Sequence, residues 1–301
     1  MNGLLRRPAP WLALGVVLLA GTILVVVGAH RPAARSDTTR TSDLAAEVRR
    51  FAAGLHAGDP YRPPEPAQRR RLLSALHALE AGKATHAADG LGFTARTGVD
   101  EETGRRFGLL ANGPGERAWG WYLVDLSAPV RLVIEVPHPN SDLHTEEIGL
   151  ALYQAVPGSV LLVAGTHRRA GAGAGDVAHR TDSMFHAVAT DLAARGLPQV
   201  QLHGFHDDNL PDTDVVVSPG AGDAGAAVRR VADRIDADLR VCRSWRQDCG
   251  RLEGTTNVQG RDAARRGTLF LHVEISRAVR DDRVAWSKLV RAIARADLGR
   301  G

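Results

Sequence analysis

From Arg131 onward the chain alternates short apolar runs with amphipathic helical stretches, and this alternation restricts the fold more than any other feature of the sequence. RLVIEV precedes a helical pattern from Thr145 to Val156, SVLLVAG one from Thr181 to Arg195, and VQLHG with VVVSPG one from Asp223 to Asp236. A short strand near Leu239 to Cys242 follows, then TLFLHVEIS and a last helix from about Asp282 to Ala296. Strands that recur with a helix between them predict parallel neighbours and right-handed crossovers. The expected fold is therefore a three-layer α/β/α domain with a mixed, largely parallel sheet. Upstream, RRFGLLANG and AWGWYLVDLS flank a Gly-Pro-Gly stretch and read as an antiparallel pair at one edge. Trp119, Trp121 and Tyr122, neighbours on that strand, read as core rather than as a sugar-stacking surface.

With 301 residues, 44% of them hydrophobic, one substantial core is expected rather than two. Residues 1–30 read as a signal peptide or transmembrane anchor: Arg6 and Arg7 precede a stretch from Trp11 to Ala29 that carries no charge. Residues 31–42 read as a linker, 43–92 as a helical lead-in with helices near Asp43–Leu55 and Pro66–Glu80, and 93–301 as the α/β domain. This organisation places the domain outside the cytoplasmic membrane. Cys242 and Cys249, the two cysteines of the chain, are separated by a short loop and are expected to form a disulfide in such an oxidising compartment. The formal charge of +4 is spread among interleaved acids and bases, and aromatics make up only 5%, so no nucleic-acid surface is expected.

The richest stretch chemically is VPHPNSDLHTEE, where Pro137 ends a strand and releases His138, Asp142, His144, Glu146 and Glu147 within ten residues. The bland alternative is a polar loop with a helix cap at Thr145 and two first-turn glutamates. Two more strand ends carry reactive groups, His203 in VQLHGF and Glu274 in LFLHVEIS. A hydrolytic zinc site needs two or three imidazole or carboxylate ligands, an open position for water and a carboxylate that takes the water's proton. His138, His203, Asp142 and Glu274 meet that need. Asp142 lies close to His138 in what reads as an extended loop, and Glu146, the alternative ligand, falls in the first turn of a helix. His167, His186 and His272 read as structural, His272 as adjacent to Glu274 but not aligned with it. GDVAHRTDSMFHAV offers Asp176, His179 and Arg180 before a helix, and GTTNVQGR, read as irregular, offers Asn257 and Arg261.

The pieces VPHPNSD…TEE, DVAHRTDSMFHAV, QLHGF, GTTNVQGR and LFLHVEIS occur in this order between Arg131 and Arg277 and together resemble the N-formylglutamate amidohydrolase and phage poly-γ-glutamate hydrolase families, relatives of the zinc carboxypeptidases. The resemblance implies that His138, Asp142 and His203 hold Zn2+, that Glu274 is the general base, and that Arg180 clamps a substrate carboxylate; Asn257 and Arg261, as polar loop residues beside a site, are candidate further substrate contacts, although ordinary turn chemistry accounts for them equally well. In one respect the sequence departs from the carboxypeptidases: three residues, not two, separate His138 from Asp142. The function this implies is extracytoplasmic, zinc-dependent hydrolysis of amide bonds in a cell-wall, peptide or polyglutamyl substrate. The competing expectation is a non-catalytic cell-envelope module that keeps the fold.

Overall fold

The computed structural model describes residues 40–83 and 88–298. The expected membrane segment and all but the end of the linker lie outside the described residues. Among the described residues no helix is long and apolar enough to cross a membrane.

The chain enters through β1 (Thr41–Ser42) and α1 (Leu44–Ala53), which starts where the Asp43 carboxylate accepts a hydrogen bond from Ala46 N at 2.8 Å. The next helix, α2 (Pro66–Glu80), has Pro66 at its first position and a reciprocal Glu65–Gln68 capping box, so its start is written in the sequence. Three antiparallel strands follow, β2 (Phe93–Asp100), β3 (Arg106–Asn112) and β4 (Trp121–Asp125). The alternating part comprises β5 (Leu132–Val136), α3 (Thr145–Ala155), β6 (Ser159–Val163), α4 (Met184–Ala194), β7 (Gln199–Phe205), β8 (Val215–Ser218) and α5 (Ala226–Ile235). It closes with β9 (Val241–Arg243), α6 (Val258–Arg266), β10 (Phe270–Ser276), α7 (Arg277–Asp281) and α8 (Arg283–Arg295).

These strands form one sheet in the order β1-β2-β3-β4-β6-β5-β7-β10-β8-β9. Its centre, β6-β5-β7-β10, is parallel, while β8 enters antiparallel beside β10. The expected mixed, mostly parallel three-layer sheet is what forms. One face is covered by α1, α3, α5 and α8 over Ile134, Val136, Leu161, Leu202, Val217, Val273 and Ile275. Over the other lie α2 and α4, packed on Leu110, Tyr122, Val133, Val160 and Leu162, with α6 against β10. Cys242 and Cys249 are joined in a disulfide, as expected.

Four local readings are corrected. The helix expected from Thr181 begins three residues later, because Ser183 is the residue whose hydroxyl accepts from His186 N at 3.0 Å. The helix expected from Asp223 begins at Ala226, preceded by a turn in which Gly225 N donates to Asp223 O. GTTNVQGR is not irregular: Asn257 caps α6, its Oδ1 accepting from Gln259 N at 2.9 Å and Gly260 N at 3.1 Å. At the start of α3 the cap is His144, in the left-handed region at φ 71°, and Thr145 is the first helical residue.

Candidate metal centre

Parallel strands with common register bring their C-terminal ends to one edge of the sheet, where α/β folds place their chemistry. β5, β7 and β10 are consecutive across the sheet, Glu274 lies opposite His203, and Gln201 lies between Glu135 and His272. Side chains alternate along a strand. Gln199, Gln201 and His203 of β7 therefore share a face with Glu135 of β5 and with His272 and Glu274 of β10. His272 and Glu274, two residues apart, point the same way, which corrects the expectation that they are not aligned.

His138 follows β5 after Pro137 and is buried. The loop after it is not extended, as expected, but coils tightly: Ser141 N and Asp142 N both donate to His138 O, at 3.1 and 2.9 Å, and Asn140 takes φ 57°. This turn brings Asp142 back beneath the His138 ring, so the longer spacing still delivers a carboxylate to the histidine. Asp142 Oδ2 lies 3.2 Å from His138 Nδ1 and 3.4 Å from His203 Nδ1, and it also accepts from Gly204 N at 3.2 Å.

The opposite nitrogen of each ring is engaged. His138 Nε2 donates to Asp176 Oδ1 at 2.8 Å, and His203 Nε2 donates to Gln201 Oε1 at 2.7 Å. With both ring protons on Nε2, each Nδ1 presents a lone pair to the same carboxylate oxygen. Such a set of three lone pairs is held together only by a cation or a shared proton. The spacings match a metal's: a tetrahedral zinc with bonds of ~2.0–2.1 Å places neighbouring ligand atoms about 3.3–3.4 Å apart. Carboxylate or amide groups behind ligating imidazoles, here Asp176 and Gln201, are the usual means of fixing tautomer and ring orientation. The residues present thus fit zinc.

A second trio, His203, His272 and Glu274, has its donor atoms within 4.8 Å of one another and overlaps the first at His203. Rings of His203 and His272 lie 4.7 Å apart between centroids. His272 Nδ1 and Glu274 Oε2 are buried with no hydrogen-bond partner among the described residues. Glu274 therefore has a free oxygen beside the trio of His138, Asp142 and His203.

Electrostatics separate the roles. Burial pushes His203 down to about 4, helped by the charge of His138 and opposed by Asp142, so it is neutral at neutral pH, as a ligand must be. Burial also lowers His138, but Asp142 and Asp176 more than offset this and its pKa ends above the usual value. Asp142 is held far below the carboxylate range by the two imidazoles, against its burial. Glu274 is pushed up to about 8, by burial first and then by the charge of Asp142.

Glu135, Gln201 and Gln259 are polar residues of the site that no motif singles out, and Asp176 joins them. Gln201 Oε1 also accepts from Asn257 Nδ2, while Gln201 Nε2 donates to Glu135 Oε2 at 2.7 Å and to Gln259 Oε1 at 3.4 Å. Asp176 receives Arg168 at 3.1 Å and His179 at 3.2 Å in addition to His138. The alternation of QVQLHG is the sequence signal that could have revealed the polar face.

The residues expected from sequence to contact substrate have other partners within the chain. Asn257 is buried and spends its amide on the α6 cap and on Gln201, so it supports the site from behind. Arg180 is exposed and forked onto its neighbour Asp182, at 3.1 and 2.7 Å. Arg261 is exposed on α6 and donates to Thr255 O at 3.2 Å. Glu146 lies in the first turn of α3, buried, with its pKa raised by burial, and is in neither trio. Arg168, overlooked in the sequence, lies closer to the chemistry: its charge acts on His138, His203 and Glu274.

No family model matches this chain, and none of the curated proteins does. Solved structures similar to it include a zinc-free form of a protein named YNDL, 14% identical over 56% of this chain and 84% of that one, at a TM-score of 0.40. A gene product of Agrobacterium tumefaciens is 16% identical over 66% of this chain and 96% of that one, also at 0.40. A metallo-carboxypeptidase from Pseudomonas aeruginosa is 15% identical over 79% of this chain and 68% of that one, at 0.37. These are distant likenesses, metallo-carboxypeptidases among them, and they do not establish the amidohydrolase family expected from the sequence.

Proposed function

We propose that the protein is a zinc-dependent hydrolase of amide bonds. The observation that carries this reading is one carboxylate oxygen of Asp142 lying 3.2 and 3.4 Å from Nδ1 of His138 and Nδ1 of His203, with Glu274 Oε2 buried and without a hydrogen-bond partner among the described residues. His138, Asp142 and His203 would hold the ion, which when bound supplies Lewis acidity toward the scissile carbonyl and toward water. Glu274 would accept the proton of the attacking water at Oε2 and return it to the leaving nitrogen. Asp176 and Gln201 would hold the two imidazoles in the tautomer that leaves Nδ1 free.

In the same proposal the substrate carries a carboxylate, anchored near Arg168, and is a peptide, a γ-glutamyl polymer or a wall stem peptide. Support for an extracytoplasmic setting comes from the disulfide and from the charge-free stretch Trp11–Ala29. The test uses the full chain. Glu274→Gln should keep its zinc while amide hydrolysis falls by about 10²–10⁴-fold. Unchanged activity removes Glu274 as the base, and an active wild-type chain without metal removes the zinc reading. A zinc-binding chain inert toward peptide and γ-glutamyl amides leaves the non-catalytic module. Amidation of the substrate carboxylate should raise KM, and equal KM values would contradict the carboxylate anchor.

A further inference from the structure

The residues that carry the proposed chemistry sit on three separate segments, and one side chain ties all three together. Arg280, on α7, is buried, and it spends three N–H groups on backbone carbonyls. Nη1 donates to Leu143 O at 2.7 Å, Nη2 to Phe205 O at 3.0 Å and Nε to Ile275 O at 3.0 Å. Leu143 follows Asp142, Phe205 lies two residues beyond His203, and Ile275 follows Glu274. A planar fork with fixed donor directions locks three carbonyls into one relative arrangement, which a flexible ammonium cannot do.

The local structure is built to admit this fork. Gly204 lies under it: a Cβ there would come within 2.5 Å of the guanidinium carbon. Gly204 N in turn donates to Asp142 Oδ2, so the guanidinium rests on the peptide that supports the carboxylate. Ser276 caps α7 by accepting from Val279 N at 3.3 Å, which fixes the helix turn that aims Arg280 back at the sheet. The positive charge also acts on Asp142 and Glu274, favouring their anionic forms.

We infer that Arg280 is a positioning residue that sets the spacing among Asp142, His203 and Glu274, and thereby the zinc affinity and coordination geometry of the site. This rests on the zinc reading above. It predicts that the position of the guanidinium matters as well as its charge, so that two different perturbations should converge. Arg280→Lys keeps a cation but loses the fork. Gly204→Ala keeps the arginine but pushes it off its seat.

The experiment measures zinc affinity of the full chain by competition with a chromogenic chelator, with thermal unfolding of the zinc-free protein recorded in parallel and the d–d spectrum of the cobalt(II)-substituted form as a reporter of geometry. Both variants should lose zinc affinity by about 10–100-fold, as for other groups that orient ligands, with a changed cobalt spectrum. Leu76→Ala, on the buried face of α2, serves as a control that lowers stability without touching the site and should leave affinity unchanged. Added guanidinium, but not methylammonium, should restore part of the affinity of Arg280→Ala. Wild-type affinity and spectrum in both Arg280→Lys and Gly204→Ala overturn the inference, as does an equal loss in Leu76→Ala. A wild-type chain that binds no zinc overturns the underlying reading instead, so the two failures are distinguishable.

Discussion

β5, β7 and β10 have two faces of opposite character. Toward α3 and α8 they present Ile134, Val136, Val200, Leu202, Leu271, Val273 and Ile275, all within the larger apolar cluster. On the reverse face the same strands present Glu135, Gln199, Gln201, His203, His272 and Glu274, most of them buried. Burying polar groups is unfavourable unless they are paired, and here the pairing is incomplete: Glu135 Oε1, Gln199 Oε1, His272 Nδ1 and Glu274 Oε2 have no hydrogen-bond partner among the described residues. One face therefore supplies cohesion. The other holds groups in states that water would not permit, which is what a chemical site requires.

This contrast can be tested one face at a time. The largest effect on stability is expected from the apolar face: Leu202→Ala should destabilise the fold by about 2–5 kcal/mol through a cavity that the surrounding sheet and helices cannot close, with zinc affinity of the folded protein unchanged. Denaturant unfolding and chelator competition measure the two separately, and a parallel loss of both would mean that the faces are not independent. On the polar face, Asp176→Asn should cost about 10–100-fold in zinc affinity by weakening the carboxylate behind His138, with little change in unfolding midpoint. Equal zinc affinity would show that Asp176 does not orient the imidazole.

A third effect, read in the pH dependence of stability, is expected at Glu135, whose pKa burial pushes up to about 8 while its hydrogen bond from Gln201 works the other way. A carboxyl raised on folding is deprotonated more readily in the unfolded chain. Stability should therefore fall as pH rises from the ordinary carboxylate range toward 8, by at most about 1.4 kcal/mol per unit, and level off above it. Glu135→Gln should remove that slope, so its advantage over wild type grows across the same window. Parallel stability curves for the two proteins would contradict a buried, neutral Glu135.

Much of the fold was legible because the apolar face wrote it: each apolar run became a strand, and helices such as α2, with its capping box and proline, announced their own starts. What escaped is what the polar face controls. α6 buries Gln259, Gly260 and Asp262 along with Ala263, so no apolar stripe marks it as a helix. Thr181, Asp182 and Ser183 are all competent caps, and only the hydroxyl geometry at Ser183 selects among them. His138, Asp142, His203 and Glu274 were visible as reactive groups at strand ends, and the structure brings all four together. Arg180 is suggested as a substrate contact by the family resemblance, Asn257 and Arg261 by the tendency of polar loop residues to touch ligands. In the structure their side chains engage Asp182, a helix cap with Gln201, and Thr255 O. Arg280 left no signal at all, since its three partners are backbone carbonyls that no motif records.

The central claim is that His138, Asp142 and His203 form one zinc site. Its most direct test is the zinc content of the full chain after exhaustive dialysis, measured beside His138→Ala. About one zinc per wild-type chain and almost none in the variant are expected, with the variant still folded. A wild-type chain free of zinc, or a His138→Ala chain that keeps it, would contradict the account.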